Sequence, residues 1–262
     1  MWKYAFASVA GTGHAATDVP CQDNSHCETF VLPDGTPVLV AAVSDGASSA
    51  QRADRGSYLA CTLFVEHVKR LLMDEDTQAD FVSTWIAEFR DRVRVEAEAE
   101  GVRISDFACT FVSAVVSHDE AVFFHLGDGA IVISRRDESD RYQCVSWPQQ
   151  GEYANTTSFI TDEDALDKIM SGYETNIEEL AIFSDGIQHL VLDYETQSAH
   201  APFFTSVFTW LRAVEEIDGR TLSHSLRSFL DSEKVNSRTD DDKTLVIATR
   251  RVLDNEPEAD IP

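Results

Sequence analysis

Val40-Ala41-Ala42-Val43-Ser44-Asp45-Gly46-Ala47-Ser48-Ser49 is the stretch on which the reading of this chain turns. It begins as a short apolar run of strand type. It breaks at an acid followed by glycine, passes through small polar residues and leads almost at once into an amphipathic helical pattern. Far downstream, Leu180-Ala181-Ile182-Phe183-Ser184-Asp185-Gly186 repeats the motif. Two buried strands that each deliver Ser-Asp-Gly at their ends would bring two carboxylates together. The working reading is that these acids hold metal ions and that the rest of the fold supports them.

Outward from that stretch, the pattern upstream is one of hairpins. Residues 2–10 alternate as an opening strand and are broken by Gly11-Thr12-Gly13-His14. A strand over 27–32 meets the turn signal Pro33-Asp34-Gly35-Thr36, and a strand over 37–43 pairs back. Downstream, Leu59, Leu63, Phe64, Val68, Leu71 and Leu72 form a helical stripe over 54–73. Phe81, Trp85, Phe89 and Val93 recur every four residues over 79–100, and Gly101 is placed as a C-terminal cap. The aromatic stripe reads as core or interface. Strands over 107–116, 121–126, 130–134 and 142–147 read as a meander, with Gly127-Asp128-Gly129 as a tight turn. Residues 148–173 read as a surface flap. A buried strand over 180–184, helices over 202–214 and 221–230, and a last strand over 244–249 complete the order. Strands, helices, strands, helices, strand imply an α+β fold, with two antiparallel sheets packed face to face and helices outside. One domain is expected over 1–252, with an acidic tail over 253–262.

Bulk composition narrows the function. The 262 residues are 43% hydrophobic, enough for a sizeable core. Forty-six acidic residues against 21 basic ones give a formal charge of −25, which argues against nucleic acid or an anionic membrane as partner. Cys21, Cys27, Cys61, Cys109 and Cys144 are odd in number and form no CxxC pair, so reduced thiols are expected. No basic-then-apolar leader and no run approaching ~20 apolar residues stands in the sequence, and a cytoplasmic protein is expected.

Asp45 and Asp185 end apolar strands, and Asp241-Asp242 begins one. Carboxylates gathered at sheet ends repel one another, and hard divalent cations such as Mg²⁺ or Mn²⁺ are the natural compensation. Gly46 leaves its carbonyl open to close approach. Two such ions about 4 Å apart would lower the pKa of a shared water for in-line attack on phosphorus.

These segments resemble, in order along most of the chain, the metal-dependent serine/threonine protein phosphatases of type 2C. Gln22-Asp23 is similar to that family's early acid-containing pair and Val43-Ser44-Asp45-Gly46 to its bridging Asp-Gly. Phe124-His125-Leu126-Gly127-Asp128-Gly129 resembles its Asn-x-Gly-Asp-Ser turn, Phe183-Ser184-Asp185-Gly186 its Ser-Asp-Gly, and Asp241-Asp242-Lys243-Thr244-Leu245-Val246 its closing Asp-Asn-x-Thr motif. The resemblance implies a four-layer αββα β-sandwich with metals at one end. It implies that Asp45 bridges two ions, that the Gly46 carbonyl binds one and that Asp185 and Asp241 bind the other. Asp241 is preferred to Asp242 because it stands three before Thr244. Asp23 would act through metal-bound water, and Asp128 with Asp185 would hold a third ion. The family's early arginine is replaced, with Asp18 at its spacing and His14 the nearest polar candidate. Its histidine after Asp-Gly is Ala47, and its Gly-Gly is Ser48-Ser49. Gly11-Thr12-Gly13-His14 and Pro20-Cys21-Gln22-Asp23 instead resemble a divergent bacterial subgroup. That likeness implies a cognate serine/threonine kinase and a von Willebrand A-type protein as partners.

The expected activity is hydrolysis of phosphoserine or phosphothreonine in proteins. The alternatives are a catalytically weak regulatory or binding module of the same fold and an acidic Ca²⁺-binding protein, the latter disfavoured because no EF-hand loop occurs. His14 could bind phosphate or protonate the leaving group, or be a satisfied loop histidine. His125 reads as a packing residue. A cysteine phosphatase is disfavoured, because neither Cys21 nor Cys27 has the arginine of a Cys-x5-Arg loop.

Overall fold

The strand Pro37–Ser44 is buried from Val38 onward on both of its faces, which makes it a central strand between two apolar layers. The computed structural model describes residues 2–74, 81–149, 157–214 and 219–251. In chain order its elements are β1 (Lys3–Val9), α1 (Thr12–Ala15), β2 (Asn24–Val31), β3 (Pro37–Ser44), α2 (Ala53–Met73), α3 (Phe81–Glu100), β4 (Phe111–Val116), β5 (Glu120–Leu126), β6 (Ala130–Arg135) and β7 (Glu138–Ser146). There follow α4 (Ala165–Lys168), β8 (Met170–Thr175), β9 (Ile177–Phe183), α5 (Gln188–Val191), β10 (Leu192–Asp193), β11 (Ser198–Ala199), α6 (Ala201–Ala213), α7 (Gly219–Leu230), α8 (Glu233–Asn236) and β12 (Lys243–Thr249).

Two antiparallel five-stranded sheets result, ordered β1-β12-β9-β6-β7 and β2-β3-β4-β5-β8. Side-chain alternation along β3 shows why both faces are apolar. Leu39, Ala41 and Val43 meet Ile131, Ile182 and Val246 of the facing sheet. Val38, Val40 and Ala42 point the other way, toward α2 and α3. There Trp85 lies 4.1 Å from the ring of Phe111 and meets Phe64 edge-on at 5.3 Å, so the aromatic stripe of α3 is core. On the opposite flank, α6 and α7 cover β1, β9 and β12 through Phe204, Phe208, Leu222 and Leu226. The layers are therefore helix, sheet, sheet, helix, as the sequence implies.

Two expectations need correction. Residues 107–147 do not form one meander. β4 pairs with β5 and β6 with β7, but β5 and β6 lie in different sheets. The link Gly127-Asp128-Gly129 crosses between the sheets. Gly127 has φ +115°, and a Cβ there would lie 2.6 Å from the side chain of Thr110. Gln149 clamps this crossing by accepting from the Gly127 N–H and donating to the His125 carbonyl. The flap over 148–173 is also only partly a surface segment. Ile160 and Ala165 are fully buried, and β8 adds an edge strand to β5. Residues 150–156 of that segment, with Gly151 and Asn155, lie outside the described residues, as does the tail over 253–262.

Candidate metal centre

The serine of each Ser-Asp-Gly is spent on structure, and this is what frees the aspartate. Ser44 Oγ donates to the Thr110 carbonyl at 2.6 Å, and Thr110 Oγ1 accepts from the Asp45 N–H at 3.0 Å. Asp45 is thereby fixed at the end of β3 with its carboxylate facing the opposite sheet. Across the gap, Ser184 Oγ donates to Asp23 Oδ2 at 2.6 Å and accepts from the Thr244 N–H at 3.1 Å. Gly186 allows the closing loop to lie against this strand end. A Cβ there would sit 1.8 Å from the Asp242 carbonyl oxygen.

Asp45, Asp128 and Asp185 converge. Each offers one carboxylate oxygen, and the three atoms lie within 4.8 Å of one another. They come from the end of β3, the β5–β6 crossing and the end of β9, so the two sheets together make the cluster. Asp185 Oδ1 and Asp23 Oδ1 are buried with no donor from the protein. Thr157 Oγ1 donates to Asp128 Oδ2 at 2.9 Å. Burial is the main force raising each acid, with neighbouring carboxylates adding to it. Asp45 is pushed well above the usual carboxylate range, Asp23 up to about 8 and Asp185 up to about 6, and Asp128 is also raised. Paired anions in a dry site cost free energy unless a cation or protons compensate. A hard, all-oxygen donor set with an orphaned buried oxygen fits a divalent cation of the Mg²⁺ or Mn²⁺ kind.

The remaining sequence candidates sit around this trio. Together with Asp45, Gly46, Asp128 and Asp185, His14, Asp241 and Asp242 line a cleft of about 210 Å³. Asp241 is exposed, lies outside the tight trio, and its charge is felt by Asp128 and Asp185. The Gly46 N–H donates to the Gln22 carbonyl at 3.2 Å. Asp23 is buried beside Asp45 and is not part of the cleft wall. His14 is the one basic side chain among the described residues that line the cleft.

Asp242 has a role that sequence reasoning passed over. Its Oδ1 accepts from the Gly11 N–H at 2.7 Å and pairs with His14 Nδ1 at 2.9 Å. Its Oδ2 accepts from the Gln22 N–H at 2.6 Å. One carboxylate thus ties both N-terminal motifs to the closing loop. The doublet Asp241-Asp242 was the visible signal, but only the fold assigns three donors to the second acid. His125 is buried, bonded to Ser146 Oγ at 2.6 Å and pushed down to about 4 by burial, which suits packing. Burial and the charges of Asp23 and Asp242 push the Cys21 thiol up, away from any thiolate nucleophile.

A family model described as Protein phosphatase 2C matches residues 10–231. The chain is 37% identical over 250 residues to Serine/threonine-protein phosphatase 3 of Escherichia coli (strain K12), across 94% of this chain and 98% of that one. Among solved structures it is similar to the serine/threonine phosphatase Stp1 from Staphylococcus aureus, with TM-score 0.59 at 14% identity over 96% of each chain. It is also similar to the catalytic domain of the serine threonine protein phosphatase PstP in complex with two manganese ions. That match has TM-score 0.57 at 14% identity, over 95% of this chain and 97% of that one. At such identities the two structures attest the fold.

Proposed function

The chain belongs to the protein phosphatase 2C family, and from that premise we propose how its residues serve the reaction. It is a metal-dependent protein serine/threonine phosphatase that hydrolyses phosphomonoesters of phosphoproteins. The observation that carries our assignment of residues is the trio of carboxylate oxygens within 4.8 Å, beside a buried Asp185 oxygen that no protein group satisfies. We assign Asp45 to two cations, the Gly46 carbonyl to one of them, and Asp185 with Asp241 to the other. Asp128 with Asp185 forms a third position. Cations bound there supply Lewis-acid activation of water and neutralise phosphoryl charge.

The chain's own groups do the rest. Asp23, buried beside Asp45 and held by the Ser184 hydroxyl, would act on the centre through water at the cations. Asp242 accepts at His14 Nδ1, which leaves the other ring nitrogen of His14 for substrate. A departing serine or threonine alkoxide is strongly basic, and His14 as the imidazolium, its Nδ1–H on Asp242, gives the proton from the other ring nitrogen and is left as the neutral ring. Chelator, Asp45→Ala and Asp185→Asn are each expected to abolish hydrolysis of a phosphothreonine peptide. Equal release of phosphate with and without chelator would sink the metal assignment.

We read residues 1–252 as one phosphatase domain followed by an acidic tail. No helix among the described residues is long and apolar enough to cross a membrane. A cognate serine/threonine kinase and a von Willebrand A-type protein as partners are our reading of the N-terminal motifs, and a cytoplasmic site of action is our reading of the five free cysteines. Affinity capture from cells that lacks both proteins would remove those partners.

A further inference from the structure

Beside the acidic cleft lies a second concavity of opposite character. It holds about 240 Å³ between α5, α6, the end of α7 and α8. Its floor is apolar, with Ile187, Phe203, Phe229 and Val235. Its rim carries His200, Lys234 and Arg238, all exposed. Lys234 and Arg238 have no acidic side chain in ion-pair distance among the described residues. The groove is also joined to the metal centre through the backbone. Ile187 stands two residues after Asp185, and Arg238 stands three before Asp241. A substrate whose phosphorylated residue occupies the cleft therefore has a continuation of its chain within reach of the groove.

From the apolar floor, the cationic rim and this continuity, we propose that the groove docks a segment of the phosphoprotein substrate carrying an apolar side chain flanked by carboxylates. The apolar side chain fills the floor and the carboxylates meet Lys234 and Arg238. The chain as a whole, at net charge −25, repels such a segment, and Lys234 and Arg238 offset that repulsion at the groove. The proposal rests on the phosphatase reading, which sets what arrives at the neighbouring cleft.

The test uses the full chain and a fluorescein-labelled, unphosphorylated peptide with a phenylalanine–leucine pair flanked by two acidic residues on each side. Anisotropy is expected to show saturable binding, weakened about tenfold or more in the Lys234→Glu/Arg238→Glu variant. The same peptide is expected to inhibit dephosphorylation of a phosphothreonine peptide bearing that segment. It should leave hydrolysis of p-nitrophenyl phosphate unchanged, and so should the double variant, which also reports that the variant folds. Equal binding of a lysine-flanked control peptide, or unchanged affinity in the double variant, would overturn the proposal. So would a concentration-dependent dimer that Phe203→Asp dissolves, which would give the groove to a second copy of the chain. Failure of the unmodified protein to hydrolyse p-nitrophenyl phosphate would count against the phosphatase reading instead, because peptide binding is read without it.

Discussion

Asp23 and Asp45 are acids held in a place that favours their protonated form, and this has a measurable sign. In the folded protein without metal, Asp23 is pushed up to about 8 and Asp45 well above the usual range, chiefly by burial. In the unfolded chain both titrate near ~4. Between these values the folded state binds more protons, so stability falls as pH rises. Asp185, pushed up to about 6, has the same sign at lower pH. His125, lowered from 6.5 to about 4, has the opposite sign, which fades within about one pH unit above 6.5. His26, lowered by burial, acts likewise. Above about pH 7 the acids therefore dominate, and the thiols of Cys21, Cys27, Cys61, Cys109 and Cys144, all pushed up by burial, add to the same sign as pH 8 is approached. There the chelator-treated protein is expected to lose up to about 1.4 kcal/mol per pH unit for each proton released. Thermal melts should show this slope, and Mn²⁺ should flatten it, because a cation replaces the protons. A flat metal-free profile would contradict the buried cluster. At the same scale, His14→Ala is expected to cost about 100-fold or more in kcat on a phosphothreonine peptide. It should cost far less on p-nitrophenyl phosphate, whose leaving group needs no proton. Equal losses on both would return His14 to a structural role.

Strand ends and the loops that follow them set the site, and the glycine at each end has a specific neighbour. Gly186→Ala would place a methyl group 1.8 Å from the Asp242 carbonyl. Backbone must then move, with a cost of about 3 kcal/mol or more and loss of metal-dependent activity. Denaturant unfolding and Mn²⁺ titration check both. Much at this scale was legible in advance. The apolar runs at β3, β9 and β12 and the four-residue stripe of α3 gave their elements within a few residues, because burial on one or both faces writes itself into the pattern. The crossing at Gly127-Asp128-Gly129 was not legible as a change of sheet. A tight turn between two apolar runs reads as a hairpin, and only the strand pairing, β5 with β4 and β6 with β9, shows otherwise. β8 was missed because it is an exposed edge strand, Met170 to Thr175, with no apolar alternation. Among the candidate site residues, Asp45 and Asp185 were marked by the repeated Ser-Asp-Gly. The task of Asp242 was invisible because its donors are backbone N–H groups of Gly11 and Gln22, far away in sequence.

For the whole molecule, the sandwich is a frame that lets two sheets present acids to each other at one end while helices seal the outer faces. A buried ion pair fastens one such helix. Arg212 of α6 donates to Glu179 Oε1 of β9 at 2.6 Å, and Tyr142 and Thr249 donate to the same carboxylate from β7 and β12. Arg212→Ala would leave that charge buried without its cation and is expected to cost about 3–5 kcal/mol. The metal cluster would stay intact, so activity on p-nitrophenyl phosphate at low temperature should persist while the melting temperature falls. The central claim is that acids from facing strands form a metal-dependent phosphatase centre. Its most direct test is phosphate release from a phosphothreonine peptide by chelator-treated protein, measured against added Mn²⁺ for the unmodified chain and for Asp45→Ala. The account predicts no release without metal, saturable recovery in the unmodified chain and none in the variant; undiminished release in chelator, or equal recovery in both proteins, would contradict it.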